Sequence, residues 1–142
     1  MNETLKKFGY PDTCVRQFDH WAVLLRPQQV TVGSLVLVCT EPARSFSEVS
    51  AEGFAELREV TGQLEGALAR AFAYDKINYL MLMMVDPDVH FHVLPRYAAP
   101  RTVAGVEFTD GSWPGPPDLK RVHDLGPETF REVLDRVKAA WS

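Results

Sequence analysis

The chain has 142 residues, 46% of them hydrophobic and 24% charged, and a formal net charge of −4 at pH 7. This length suits a single domain of residues 1–142, which can bury a core without disulfide or metal cross-links. The negative charge excludes a general attraction to nucleic acid polymers or anionic membranes, so a small anionic ligand would need a locally positive pocket.

Cysteine usage and apolar runs indicate where the protein works. Cys14 and Cys39 have no zinc or disulfide spacing, and the start of the sequence has no signal-peptide pattern. The most apolar run, 77–85, is too short to span a bilayer. We therefore expect a cytoplasmic protein with no membrane partner.

The first half of the chain predicts a short helix, two strands and a long helix. Leu5 and Phe8 suggest the short helix, and residues 18–25 and 35–39 suggest strands that end before prolines. Ser50 suits the cap of a helix over 51–73. The apolar residues of that helix recur at three- and four-residue spacing: Phe54, Leu57, Thr61, Leu64, Leu68 and Phe72.

The second half predicts an antiparallel hairpin and a terminal helix. Residues 77–85 are apolar at odd and even positions, which is typical of a central strand covered on both faces. A turn at 86–88 leads to a strand over 89–94 that ends at Pro95, and 103–108 suggests a short edge strand. A last helix begins at Pro127. Strands, a long helix, strands and a final helix indicate an α+β fold with an antiparallel sheet.

The strand over 89–94 carries the residues that suggest chemistry. Side chains alternate across a strand, so Val89 and its alternates Phe91 and Val93 face the core, whereas Asp88, His90 and His92 share the other face. Three interpretations are open. The histidines lie on a wet face of the sheet; or the three polar residues hold a metal with a further ligand; or one imidazole is a nucleophile and the other an acid.

Residues 88–96, DVHFHVLPR, resemble the histidine-triad (HIT) motif His-φ-His-φ-His-φ-φ, where φ is apolar. The resemblance extends over about 18–97 through WAVLLRP, GSLVLV and the long helix, and leaves about 98–142 as a C-terminal extension. It implies a HIT-like fold, with an antiparallel sheet of about five strands and the long helix on one face. The hairpin and the tail over 105–117 look like a bacterial branch described as diadenosine polyphosphate hydrolase-like.

The resemblance also implies roles. His90 matches the family's nucleophile, which attacks the α-phosphorus of an adenine nucleotide, either a dinucleoside polyphosphate or a nucleoside phosphoramidate. His92 matches the last histidine, which binds phosphate oxygens and assists the leaving group. Asp88 replaces the first histidine, a position that supports the nucleophile through hydrogen bonding. The family implies a homodimer and no required cofactor or metal.

Four further residues are predicted to bind substrate. Arg26 and Arg96 flank the expected site, Ser34 stands where the family often has histidine, and Trp113 resembles a C-terminal tryptophan that reaches a partner subunit's site. Because of the departures at Asp88 and Ser34, a nucleotide-binding module with little turnover stays an alternative. A metal-dependent enzyme that uses Asp88 with the two histidines ranks behind it.

Overall fold

The computed structural model describes residues 2–141. Its helices are α1 (Glu3–Lys7), α2 (Ala51–Phe72) and α3 (Pro127–Ala140), and a short 3-10 helix covers Phe46–Glu48. Its strands are β1 (Cys14–Gln17), β2 (Trp21–Leu25), β3 (Gln28–Gln29), β4 (Leu35–Cys39), β5 (Lys76–Leu80), β6 (His90–Arg96), β7 (Arg101–Val103), β8 (Val106–Phe108) and β9 (His123–Asp124).

The main sheet has five strands in the order β1-β2-β4-β6-β5, and all neighbours are antiparallel. β3 pairs with β9 and β7 pairs with β8 in two small additional sheets. The predicted α+β architecture, with a five-stranded antiparallel sheet, a long helix and a C-terminal helix, is confirmed. No helix within residues 2–141 combines the length and the apolar character needed to cross a bilayer.

One face of the sheet packs against α2. Ser50 caps this helix by accepting a hydrogen bond from the Gly53 amide, as predicted. The buried stripe of α2 and the alternate residues of the central strands form one apolar cluster, to which α3 contributes Val133, Leu134 and Val137. The C-terminal segment beyond residue 98 therefore belongs to the same core as the sheet.

The opposite face of the sheet is partly covered by α1. Leu5 and Phe8 pack on a second apolar cluster formed by alternate residues of β2 and β4: Ala22, Leu24, Val36 and Val38. The register pairs Val36 with His92 and Val38 with His90, so α1 lies on the face of the sheet that carries the histidines. The sequence predicts this short helix but not the surface that it covers.

The predicted strand over 77–85 is wrong in length and position. β5 ends at Leu80, and it is the edge strand of the sheet. β6 begins only at His90, so the residues after Leu80 have no strand partner. Met83 has a φ of +45°, and Met84 and Val85 are 85% and 83% exposed. An apolar run alone does not distinguish a buried strand from a strand followed by an apolar loop.

Three smaller differences from the predicted strands concern β6, the β7–β8 hairpin and β1. Pro95 lies inside β6. Its carbonyl accepts a hydrogen bond from the hydroxyl of Thr31, which precedes β4 in the chain. The proline nitrogen faces the same side as this carbonyl. Its lack of an N–H therefore removes no hydrogen bond between β6 and β5. The predicted edge strand over 103–108 is the β7–β8 hairpin, which turns at Ala104 and Gly105 with positive φ. β1 was not predicted, because residues 14–17 show no clear alternation.

Candidate active site

The two imidazoles of β6 lie side by side on one face of the sheet. Their ring centroids are 5.3 Å apart and the rings are nearly perpendicular, at 86°. His90 is 2% exposed and His92 is 6% exposed. Val89 and Val93 point to the α2 side and are fully buried. The alternation predicted from the sequence is thus confirmed, and the histidines are more enclosed than a wet sheet face would make them.

A backbone carbonyl orients the ring of His90. Its Nδ1 lies 2.7 Å from the carbonyl oxygen of Asp88. A carbonyl only accepts hydrogen bonds, so Nδ1 carries a proton, and in the neutral imidazole the lone pair is on Nε2. The nearest acidic group to Nε2 is the carboxylate of Asp86, whose Oδ2 is 4.0 Å away. His90 is therefore held in the tautomer that a nucleophile requires.

His92 is buried and in contact with an aromatic side chain. The ring of Phe8 packs edge to face against it at 5.8 Å between centroids. Burial, assisted by the positive charge of Arg26, lowers the pKa of His92 from 6.5 to about 4. The imidazole is therefore neutral at pH 7. Within residues 2–141 its Nδ1 is buried and has no hydrogen-bond partner. A proton on Nε2 avoids a buried, unpaired N–H, so this tautomer makes Nε2 a donor.

Arg26 supplies a buried positive charge near His92. It follows the last residue of β2 and is 9% exposed, and its Nη1 donates to the Gln28 carbonyl at 2.7 Å. Its Nε is buried without a partner in the described part of the chain. Arg26, Lys7 and Phe8 line a cleft of about 290 Å³ together with Pro27 and Gln28. The lining of this cleft includes two cationic side chains, Arg26 and Lys7, which are suited to attract an anion to a net-negative protein.

Asp88 contacts α1 through its side chain. Its Oδ2 accepts hydrogen bonds from the Thr4 amide at 3.1 Å and from the Thr4 hydroxyl at 3.2 Å. Only its backbone carbonyl reaches His90. A hydrogen bond between Asp88 and His90 thus exists, but the main chain of Asp88 makes it, and the carboxylate anchors the first turn of α1.

The arrangement does not favour the alternative metal site. The carboxylate of Asp88 is directed to Thr4 and not to a point shared with the two imidazoles. Among residues 2–141, no group of three or more histidine, cysteine, aspartate or glutamate side chains is placed to hold a metal ion.

The side chain of Ser34 is enclosed in its own loop. The residue is fully buried, and its hydroxyl donates to the Thr31 carbonyl at 2.7 Å and accepts from the Thr31 amide at 3.0 Å. These bonds stabilise the loop between β3 and β4. Because the hydroxyl is enclosed and already bonded within its loop, we leave Ser34 out of the proposed site.

Arg96 and Trp113 lie at the other end of β6. The guanidinium of Arg96 donates to Asp110 at 2.6 and 3.1 Å, to Asn78 at 2.7 Å and to the Gly115 carbonyl at 2.9 Å. Each of its three nitrogens is thus bonded within the protein. Trp113 lines a separate cleft of about 460 Å³ with Arg96 and Lys76. Arg96 therefore anchors the C-terminal loop, and substrate binding by Trp113 stays a prediction.

Sequence reasoning missed two charged residues near His90. Asp86 is part of a turn signal, and Lys7 lies in a weakly patterned N-terminal segment. The structure brings them together, with Lys7 Nζ 2.8 Å from Asp86 Oδ1. No local pattern marks this pair, because 79 positions separate the two residues along the chain.

Comparisons with known proteins find likeness in structure only. No protein-family model and no curated protein sequence matches the chain. Among solved structures, a histidine triad protein from Sinorhizobium meliloti has a TM-score of 0.77 at 20% identity, with 99% of this chain and 95% of that chain covered. One from Bradyrhizobium japonicum has a TM-score of 0.77 at 18% identity, with 100% and 97% covered.

A histidine triad protein from Marinobacter aquaeolei is similar to the same degree, with a TM-score of 0.76 at 20% identity and coverage of 99% and 96%. The chain therefore has the fold of histidine triad proteins over its whole described length. Identities this low establish the fold alone.

Proposed function

We propose that this protein is a nucleotide hydrolase or nucleotidyl transferase that acts at the α-phosphorus of an adenine nucleotide through a covalent nucleotidyl-His90 intermediate. The observation that carries the proposal is the orientation of His90. Its Nδ1–H is held by the Asp88 carbonyl, so the lone pair of Nε2 is available beside a second imidazole. The fold of the structural neighbours, which are histidine triad proteins, supports nucleotide chemistry in general.

The proposed reaction has two displacements. In the first, Nε2 of His90 forms a bond to the α-phosphorus and the bond from phosphorus to the leaving group breaks, with its electron pair on the leaving group. In the second, water attacks the same phosphorus and passes a proton to Nε2 of His92, which has given one to the leaving group in the first. The bond from phosphorus to Nε2 of His90 then breaks and the nucleoside monophosphate is released. Covalent catalysis of this kind divides one difficult displacement into two easier ones.

His92 and Arg26 are suited to the charged oxygens of the phosphoryl group. Nε2–H of the neutral His92 can donate to an oxygen or to the departing atom, and the buried guanidinium of Arg26 supplies positive charge nearby. A bound anion favours the protonated form of the His92 imidazole. Anion binding should therefore raise the pKa of His92 from about 4 toward 7. The bound complex would thus hold a proton close to the leaving group.

Rapid chemical quench with an adenine dinucleoside polyphosphate and an adenosine phosphoramidate tests the proposal. We expect an adenylate bound to His90, identified by peptide mass spectrometry, and a loss of turnover of at least about a hundredfold in His90→Asn. His123→Asn is the matched control, because His123 lies on β9 and bonds the Thr109 carbonyl. Full turnover in His90→Asn without an adduct would exclude the nucleophile.

A nucleotide-binding module with little turnover is the second candidate. It is favoured by the burial of both imidazoles and by the use of the Asp88 carboxylate in α1 packing. Calorimetry should show that AMP binds whether the protein is an enzyme or a binding module. Release of AMP from the polyphosphate or the phosphoramidate, measured by chromatography, occurs only with the enzyme.

A further inference from the structure

A carboxylate lies in front of the proposed nucleophile. Asp86 Oδ2 is 4.0 Å from Nε2 of His90, and the other oxygen of the same carboxylate is 2.8 Å from Nζ of Lys7. The side chain of Asp86 is 14% exposed. Asp86 thus bridges the end of α1 and the imidazole on which the proposed reaction depends.

This position coincides with the space that a substrate needs. For attack, the phosphorus must come within about 3–3.5 Å of Nε2. Its charged oxygens would then lie a few ångströms from the Asp86 carboxylate. At such distances two negative charges repel by about 1 kcal/mol or more even in water, and further phosphate groups within a Debye length of about 8 Å add to the repulsion.

The ion pair between Lys7 and Asp86 attaches α1 to this region through a side chain that is open to solvent. The Lys7 side chain is 51% exposed, and exposed ion pairs contribute about 0–1 kcal/mol. The other attachments are enclosed: Thr4 bonds Asp88, and Phe8 packs on His92. Lys7 can therefore exchange its partner while the rest of α1 stays in place.

We propose that Asp86 determines the ligand charge that this site accepts. On binding, the ammonium of Lys7 moves from the Asp86 carboxylate to the phosphoryl oxygens of the ligand. The released carboxylate then opposes each additional negative charge. The site consequently favours nucleoside monophosphate derivatives whose leaving group carries no negative charge, such as amines, over polyphosphates. This inference rests on the proposed function.

Calorimetry with AMP and ATP on the full chain tests the inference. Replacing Asp86 with asparagine removes the repelling charge and frees Lys7, so we expect AMP to bind about threefold more tightly and ATP about tenfold more tightly. The difference between the two gains should shrink as the salt concentration rises. Lys7→Gln should weaken both nucleotides. Asp12→Asn and Lys6→Gln, at exposed positions, are the charge-matched controls.

Two results would overturn the inference. One is an equal change for AMP and ATP in Asp86→Asn and in a second variant, Asp86→Ser; the other is weaker binding of both nucleotides in these variants. A separate measurement needs no nucleotide: the rate at which diethyl pyrocarbonate modifies His90 should rise in Asp86→Asn and Lys7→Gln but not in the controls. If the wild type binds neither nucleotide while this rate rises, the proposed function fails and the cover over His90 is still demonstrated.

Discussion

At the scale of single residues, hydrogen bonding gives the two buried histidines different properties. Both imidazoles lie on one strand two positions apart, yet Nδ1 of His90 has a carbonyl partner and Nδ1 of His92 has none among the described residues. The lowered pKa of His92 follows from this burial, and the charge of Arg26 adds to it. In the proposed reaction, His90 is the nucleophile and His92 is the hydrogen-bond donor.

The pKa of His92 predicts how stability depends on pH. Its pKa is about 4 in the folded protein and 6.5 in the unfolded chain. Below pH 6.5, His92 binds a proton in the unfolded chain but not in the folded protein. The free energy of unfolding therefore falls as the pH is lowered from 6.5 to about 4. Below pH 4 both states are protonated, and the contribution of His92 no longer changes. Between pH 7 and pH 4.5 the loss from His92 is about 2–3 kcal/mol.

Urea unfolding at several pH values checks this dependence. His92→Asn cannot titrate, so its stability should fall less over the same interval by about 2–3 kcal/mol, whatever its stability at pH 7. His123→Asn serves as the control for the loss of a histidine elsewhere in the fold. Equal slopes for the wild type and His92→Asn would contradict the burial argument.

At the scale of elements, α1 decides what the histidine face of the sheet can do. An isolated five-residue helix is unstable in water, so α1 depends on its contacts with the sheet. Asn2 caps the N-terminus of α1, and Leu5 and Phe8 pack on the apolar cluster of β2 and β4. The Asp88 carboxylate accepts a hydrogen bond from the first turn of the helix. The same contacts enclose the two imidazoles.

Phe8→Ala tests this dependence. Phe8 is 7% exposed, and the loss of its ring should lower the free energy of unfolding by about 3 kcal/mol. Water that enters beside His92 should also raise the pKa of His92 toward 6.5, which NMR titration of the imidazole protons would detect. Lys6→Ala, at an exposed position of α1, is the control and should change neither value appreciably. If Phe8→Ala is destabilised but the pKa of His92 is unchanged, the packing of α1 does not cause the low pKa of His92.

At the scale of the whole molecule, the two edges of the sheet differ. β1 has α3 packed near it, whereas β5 ends in a loop with exposed apolar side chains at Leu82, Met84 and Val85. Phe46 and Phe54 are also exposed, and Phe46 packs on Phe91 of the neighbouring strand β6. Exposed apolar groups beside the outer edge of a sheet are suited to contact with a second copy of the chain.

We therefore keep the predicted homodimer as a proposal, with this edge as its interface. Sedimentation equilibrium should give twice the mass of the chain, and Phe54→Lys should shift the protein toward the monomer, because a charge in an apolar interface is costly. Glu52→Lys, on an exposed position of the same helix, is the control and should leave the dimer intact. A wild-type protein that is monomeric at micromolar concentration would exclude the dimer.

The sequence by itself determined the features that arise from short-range patterns. Alternation over residues 89–93 placed His90 and His92 on one face, three- and four-residue spacing identified α2, and Pro127 marked the start of α3. Only the tertiary structure decided what surrounds the histidines. Lys7 meets Asp86, Phe8 meets His92, and the Asp88 carboxylate turns to Thr4, all through contacts between distant parts of the chain. Local patterns reflect backbone geometry, whereas burial, pKa and access at the site arise from packing between segments that no local pattern relates.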